Sequence, residues 1–203
     1  MAPLATRLRQ AGFAPLSWGY PSLRQDIPAH ALRLRQFLDA LLADDLCERL
    51  HVVAHSMGAL VLRQALLEAP LARLQRIVLL CPPNRGSHVA SQLSGSWGRI
   101  CRTLTQLSDR PDGFAARLPQ TLCQHYEVGI ITAALDFVVR RESASLPGAV
   151  HELVVPGWHS SVLFRPDAAR AVCSFLSHGR FAHPSSSKAG SRAEASSCQS
   201  RRD

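Results

Sequence analysis

Apolar residues fall in short continuous runs separated by stretches where they recur every three or four positions, the pattern of buried strands alternating with amphipathic helices. Runs at Leu50 to Ala54, Arg76 to Cys81, Val128 to Thr132 and Val150 to Val155 predict strands, and Phe13 to Trp18, closed by Gly19-Tyr20-Pro21, predicts another. Helices are predicted over Leu4 to Gln10, ended by Gly12; after Asp26, with Pro28 in the first turn; from Gly58 to Glu68, stopping before Pro70; after a Ser87 cap; and over Asp167 to Leu176. Strands separated by helices of this length predict an α/β domain, a mostly parallel sheet with helices on both faces. Residues 92–123 lose the periodicity and mix Gly, Ser and Pro with Trp97 and leucines, which predicts a small lid-like insertion in a domain spanning 1–181. The Ser, Ala, Arg and Gln composition of 182–203 predicts a disordered tail.

At 203 residues and 46% hydrophobic content the chain is long enough to bury one core. No apolar stretch approaches the roughly 18 residues of a membrane span. Arg7 and Arg9 interrupt the start before any leader-length apolar segment, so the expected compartment is the cytoplasm. The net charge of +8 comes almost wholly from arginine, Lys188 being the single lysine. These arginines are scattered from Arg7 to Arg202, which argues against a nucleic-acid stripe. Six cysteines show no CxxC spacing; Cys81 and Cys173 sit in apolar runs and read as small buried hydrophobes, and no metal site is expected.

The densest chemical signal is Val52-Val53-Ala54-His55-Ser56-Met57-Gly58, a serine between a buried strand and a helix. On a sharp turn there, Oγ is exposed while the next backbone N–H, that of Met57, faces a developing oxyanion; small residues two before and two after, Ala54 and Gly58, relieve crowding. Serine needs a histidine to take its proton and a carboxylate to hold that imidazole. His159, between the strand HELVVPG and the last helix, is placed for the first role, and Asp136, just beyond the strand ending near Thr132, for the second. Asp109, Asp112 and Glu142 are rival acids: the first two lie in the lid-like stretch, and Glu142 follows two arginines as a solvated charge would. His55 reads as packing, and Gly86-Ser87 as a turn and helix cap. Trp97, Trp158, Phe114 and Phe164 read as core, with Trp158 the best placed to line an acyl pocket.

VVAHSMGALV, IVLLCPPNRGSHVA, LDFVVRRESASLPGA and VVPGWHSSVLF together resemble the successive sheet-end motifs of the α/β-hydrolase superfamily in its lipase and esterase-like branch, and SWGYPSLR resembles an early strand and turn of that fold. The resemblance covers roughly residues 3 to 180. It implies a Ser56–Asp136–His159 triad working through an acyl-enzyme on a small-molecule or lipid ester, with no metal and no organic cofactor. It also implies a His-Gly loop after an early strand, supplying a second oxyanion donor beside Met57 N–H. No His-Gly stands near the start, and His178-Gly179 lies at the end of the last helix, so the family's first strands are expected to be missing. The alternative this raises is a catalytically impaired relative with an interaction role.

Overall fold

The computed structural model describes residues 2–22, 25–97, 105–110 and 113–182. Asp112, Cys101, Cys198 and nearly all of the 182–203 segment lie outside them, as does the Trp97 side chain.

Helix α1 (Ala2–Gln10) leads through Gly12, in the left-handed region at φ 87°, into residues 13–22, which form neither helix nor strand; the next helix is α2 (Ile27–Ala43). Asp26 caps α2 by accepting from Ala29 N at 3.0 Å, and Pro28 occupies the first turn, where a missing N–H costs nothing. Strand β1 (Leu50–His55), helix α3 (Met57–Ala65), strand β2 (Leu74–Leu80) and helix α4 (His88–Trp97) follow. After two short helices, α5 (Phe114–Arg117) and α6 (Leu122–His125), come β3 (Glu127–Ala133), α7 (Arg141–Ala144), β4 (His151–Val155), a 3-10 turn (Ser161–Leu163) and α8 (Pro166–His178).

The four strands form one parallel sheet in the order β1-β2-β3-β4. Alternation along β2 divides the interior: Ile77 and Leu79 face a core shared with α2 and α3, while Val78 and Leu80 face a second core shared with α1 and α8. A parallel strand covered on both faces has no polar side to show, hence the unbroken Ile-Val-Leu-Leu run. At Gly129 on β3 a Cβ would lie 2.7 Å from Phe181 and 2.8 Å from Phe175, so glycine lets the two rings close over the strand.

Phe13 to Trp18 does not form a strand. The segment runs beside the open edge of β1 with a cavity between them, so it has no ladder partner, and Pro15 lacks an N–H to donate. The end of the lid-like stretch is tied into the domain: Ala115, Leu118 and Leu122 join the α2/α3 core, and the buried Arg63 donates to Asn84 O at 2.9 Å, Leu118 O at 2.9 Å and Pro119 O at 3.1 Å. Burial lowers the Arg63 pKa to about 10. Among the described residues no helix is long and apolar enough to cross a membrane.

Candidate active site

Parallel strands bring their C-terminal ends to one edge of the sheet, and the three residues picked out from the sequence meet there. Ser56 follows β1 directly with φ 52° and ψ −127°, a conformation L-residues rarely adopt, and its N–H donates to Leu80 O at 2.9 Å. The turn throws Oγ off the strand end, where it donates to His159 Nε2 at 2.8 Å. His159 Nδ1 in turn donates to Asp136 Oδ2 at 2.8 Å.

Each partner is held by its own loop. Beyond β3, Ala134 N donates to Val155 O and Leu135 N to Gly157 O, while Asp136 Oδ1 accepts from Val138 N and Val139 N, both at 2.9 Å. Burial opposes ionisation of Asp136, but the hydrogen bonds from His159, Val139 and Val138 outweigh it and hold the carboxyl below its ordinary range. Beyond β4, Ser161 Oγ accepts from Trp158 N and donates to Trp158 O, each at 2.8 Å. Gly157, at φ 109°, leaves room for that hydroxyl, since a Cβ there would stand 2.4 Å from it. The His159 backbone carbonyl accepts from His55 Nε2 at 3.1 Å, and burial lowers the His55 pKa, favouring the neutral ring.

The rival acids sit elsewhere. Asp109 accepts from Ser91 Oγ near His88, Glu142 is exposed at the start of α7, and Asp112 lies outside the described residues. Ser87 caps α4 as expected, accepting from Ala90 N at 3.3 Å and donating to Val138 O at 2.7 Å. Gly58 is less constrained than the crowding argument requires: a methyl there would meet only Tyr20 Oη at 3.7 Å and Ala54 Cβ at 4.0 Å. Trp158 and Phe164 are exposed rather than buried, and Trp158 does not line the cavity at Ser56.

Met57 N–H is the first amide of α3, at a helix end where amides have no intrahelical acceptor. Among loops that could offer a second donor, Asn84 to Ser87 is committed: Arg85, Gly86 and Ser87 N–H donate to Ser143, Pro83 and Leu107 carbonyls. His178-Gly179 lies at the opposite end of the sheet, beside Arg76 and Glu127. A cavity of about 860 Å³ starts at Ser56 and His159 and follows β1 along its open edge, walled on the far side by Trp18, Tyr20 and Phe37. Cys81, buried at the end of β2 with φ 46°, brings its sulfur within 4.8 Å of the Asp136 and His159 ligand atoms. Burial and the neighbouring Asp136 push that thiol up to about 12, and the carboxylate and imidazole already bond each other, so the trio reads as part of the hydrogen-bonded chain rather than as a ligand set.

No protein-family profile and no curated protein matches the chain. Solved structures do. Lipase B of Aspergillus fumigatus aligns over 90% of this chain and 50% of its own, at 18% identity and a TM-score of 0.66. A monoacylglycerol lipase of Paleococcus ferrophilus aligns over 85% and 86% at 16% identity, with a TM-score of 0.55.

The fold is that of the α/β hydrolases.

The chain spans only 38% of a Bacillus licheniformis lipase in its propeptide form, at 16% identity and a TM-score of 0.53, and 40% of phospholipase PlaB from Legionella pneumophila. As an α/β-hydrolase fold, it carries Ser56, Asp136 and His159 at the ends of successive parallel strands β1, β3 and β4. Sequence reasoning missed His55 as the residue that holds the His159 loop and Cys81 as the neighbour of Asp136. Position next to Ser56 was the one signal for His55; nothing local marked Cys81.

Proposed function

We propose that the protein is a serine hydrolase of carboxylic esters, with Ser56 as nucleophile, His159 as base and then acid, and Asp136 holding the imidazole. The observation that carries this reading is the continuous hydrogen-bonded chain from Ser56 Oγ through His159 to Asp136, with both links at 2.8 Å. Ser56 Oγ attacks the ester carbonyl as His159 Nε2 takes its proton, and the oxyanion accepts from Met57 N–H. Collapse of that intermediate expels the alkoxide, which takes the proton from Nε2, and leaves an acyl-enzyme on Ser56. Water then attacks with the same imidazole as base, releasing acid and free Ser56. Asp136, kept ionised, fixes the Nδ1–H tautomer and offsets the charge of the imidazolium. The chemistry as written needs no cofactor. Lipases among the structural neighbours and the apolar side chains along the cavity support an acyl chain as the group held there.

A second reading, an impaired hydrolase with an interaction role, draws on two observations: β1 is an edge strand, and the Arg85, Gly86 and Ser87 amides are committed to other carbonyls, which leaves Met57 N–H as the one oxyanion donor assigned among the described residues. One missing donor costs about 100 to 1,000-fold in turnover. Steady-state hydrolysis of p-nitrophenyl esters separates the two. The ester-hydrolase reading expects measurable turnover that falls by about 1,000-fold or more in Ser56→Ala and His159→Ala. Turnover indistinguishable from these variants would favour the second.

A further inference from the structure

The loops that carry Asp136 and His159 turn large apolar side chains outward. Leu135 and Phe137 flank Asp136 and are 58% and 80% exposed; Trp158 precedes His159 at 64%, and Phe164, one residue past the 3-10 turn, is 61% exposed. Among described residues Phe137, Trp158 and Phe164 are the only exposed phenylalanine, tyrosine or tryptophan side chains. The loops lie side by side, because Leu135 N donates to Gly157 O at 2.9 Å and Asp136 meets His159. Their inward positions are sorted normally, with Val139 and Val162 buried, so the outward ones are free of any core requirement. Four large exposed apolar side chains on two adjoining loops are what a soluble surface avoids unless something covers them.

We propose that this rim docks on an anionic lipid bilayer, so that the ester is taken from the membrane surface rather than from free solution. The proposal rests on the ester-hydrolase reading for its purpose, though not for its test. Tryptophan and phenylalanine suit the boundary between headgroups and acyl chains. Exposed Arg140 and Arg141 stand three and four residues after Phe137 and can bind lipid phosphates, while Arg165 beside Phe164 is paired with Asp167. Charge selects this occupant over a second copy of the chain, since two rims bearing the same arginines on chains of net charge +8 repel, whereas an anionic leaflet attracts them. Docked this way, the bilayer lies against the two loops that frame Ser56.

The test uses the full chain carrying Ser56→Ala, so that turnover plays no part, mixed with vesicles of phosphatidylcholine with or without phosphatidylglycerol. The chain should sediment with the anionic vesicles and less with the neutral ones, and salt should release it. Trp158 emission should shift to the blue, a shift absent in Trp158→Phe. Replacing Phe137 and Phe164 together by serine should lower the bound fraction about tenfold or more. In the Ser56 background that pair should leave p-nitrophenyl acetate hydrolysis and the circular dichroism spectrum unchanged. Absence of sedimentation, equal binding by the double variant, or a dimer on size exclusion that the double variant dissolves would each overturn the proposal. Lack of p-nitrophenyl acetate turnover in the unsubstituted chain would instead count against the hydrolase reading alone.

Discussion

His55 Nε2 donates to the backbone carbonyl of His159 at 3.1 Å, and the two rings stand 5.1 Å apart. The bond joins the last residue of β1 to the loop after β4, so the residue before Ser56 helps fix the position of the imidazole that Ser56 Oγ meets.

Removing that bond should loosen the base without touching the substrate. His55→Phe is expected to lower kcat about three- to tenfold, the worth of one hydrogen bond, with KM nearly unchanged. His55→Gln, which keeps a donor, should recover part of the loss. An equal rise in KM with kcat intact would show that His55 acts on substrate binding instead.

Asp136 is held below the ordinary carboxyl range in the fold, so it stabilises the protein above its unfolded pKa, and that contribution disappears as pH falls through the folded pKa. Asp136→Asn should therefore be less stable than the parent at neutral pH, and the two denaturation midpoints should converge in acid. A gap that stays constant down to the acid limit would contradict the assignment of a charged, hydrogen-bonded Asp136.

Ser56 occupies a positive φ that costs a non-glycine residue about 1 to 3 kcal/mol. Ser56→Gly should be the more stable of the inactive variants, exceeding Ser56→Ala by about 1 kcal/mol or more in urea denaturation, because only glycine adopts that turn freely. Equal stability would mean the elbow relaxes in the absence of the hydroxyl.

Along β1, Leu50 and Ser56 N–H donate to Arg73 and Leu80 carbonyls, so by alternation His51, Val53 and His55 direct their backbone groups to the open edge and the cavity. Extending the chain with a strand that fills this slot and ends in a glycine turn beside Ser56 should raise ester turnover about 100-fold by adding an oxyanion donor. It should also reduce aggregation by covering the edge. Unchanged turnover at matched folded concentration would mean the hole is already complete.

The strands β1 to β4 and the helices around them were legible because a parallel sheet covered on both faces writes unbroken apolar runs. Phe13 to Trp18 has the same composition, yet a strand is defined by a partner, and pairing is not a local property. Ser56, Asp136 and His159 were singled out by their places after strands, and the fold brings their three side chains within hydrogen-bonding reach. Asp136 already stood ahead of Asp109 because Asp109 falls in the aperiodic lid-like stretch; the bond that Asp109 accepts from Ser91 Oγ had no local mark. Trp158 and Phe164 read as core because aromatic identity carries no record of which way a loop residue turns. His55 could not be matched with the His159 carbonyl because a backbone acceptor 104 positions away leaves no mark in the sequence.

Activation of Ser56 as a nucleophile is tested most directly by a fluorophosphonate probe followed by peptide mass spectrometry. The expected result is a single modified serine at Ser56, abolished by Ser56→Ala, and strongly slowed in His159→Ala with the fold intact by circular dichroism. Labelling at another serine, or labelling that persists in Ser56→Ala, would contradict it.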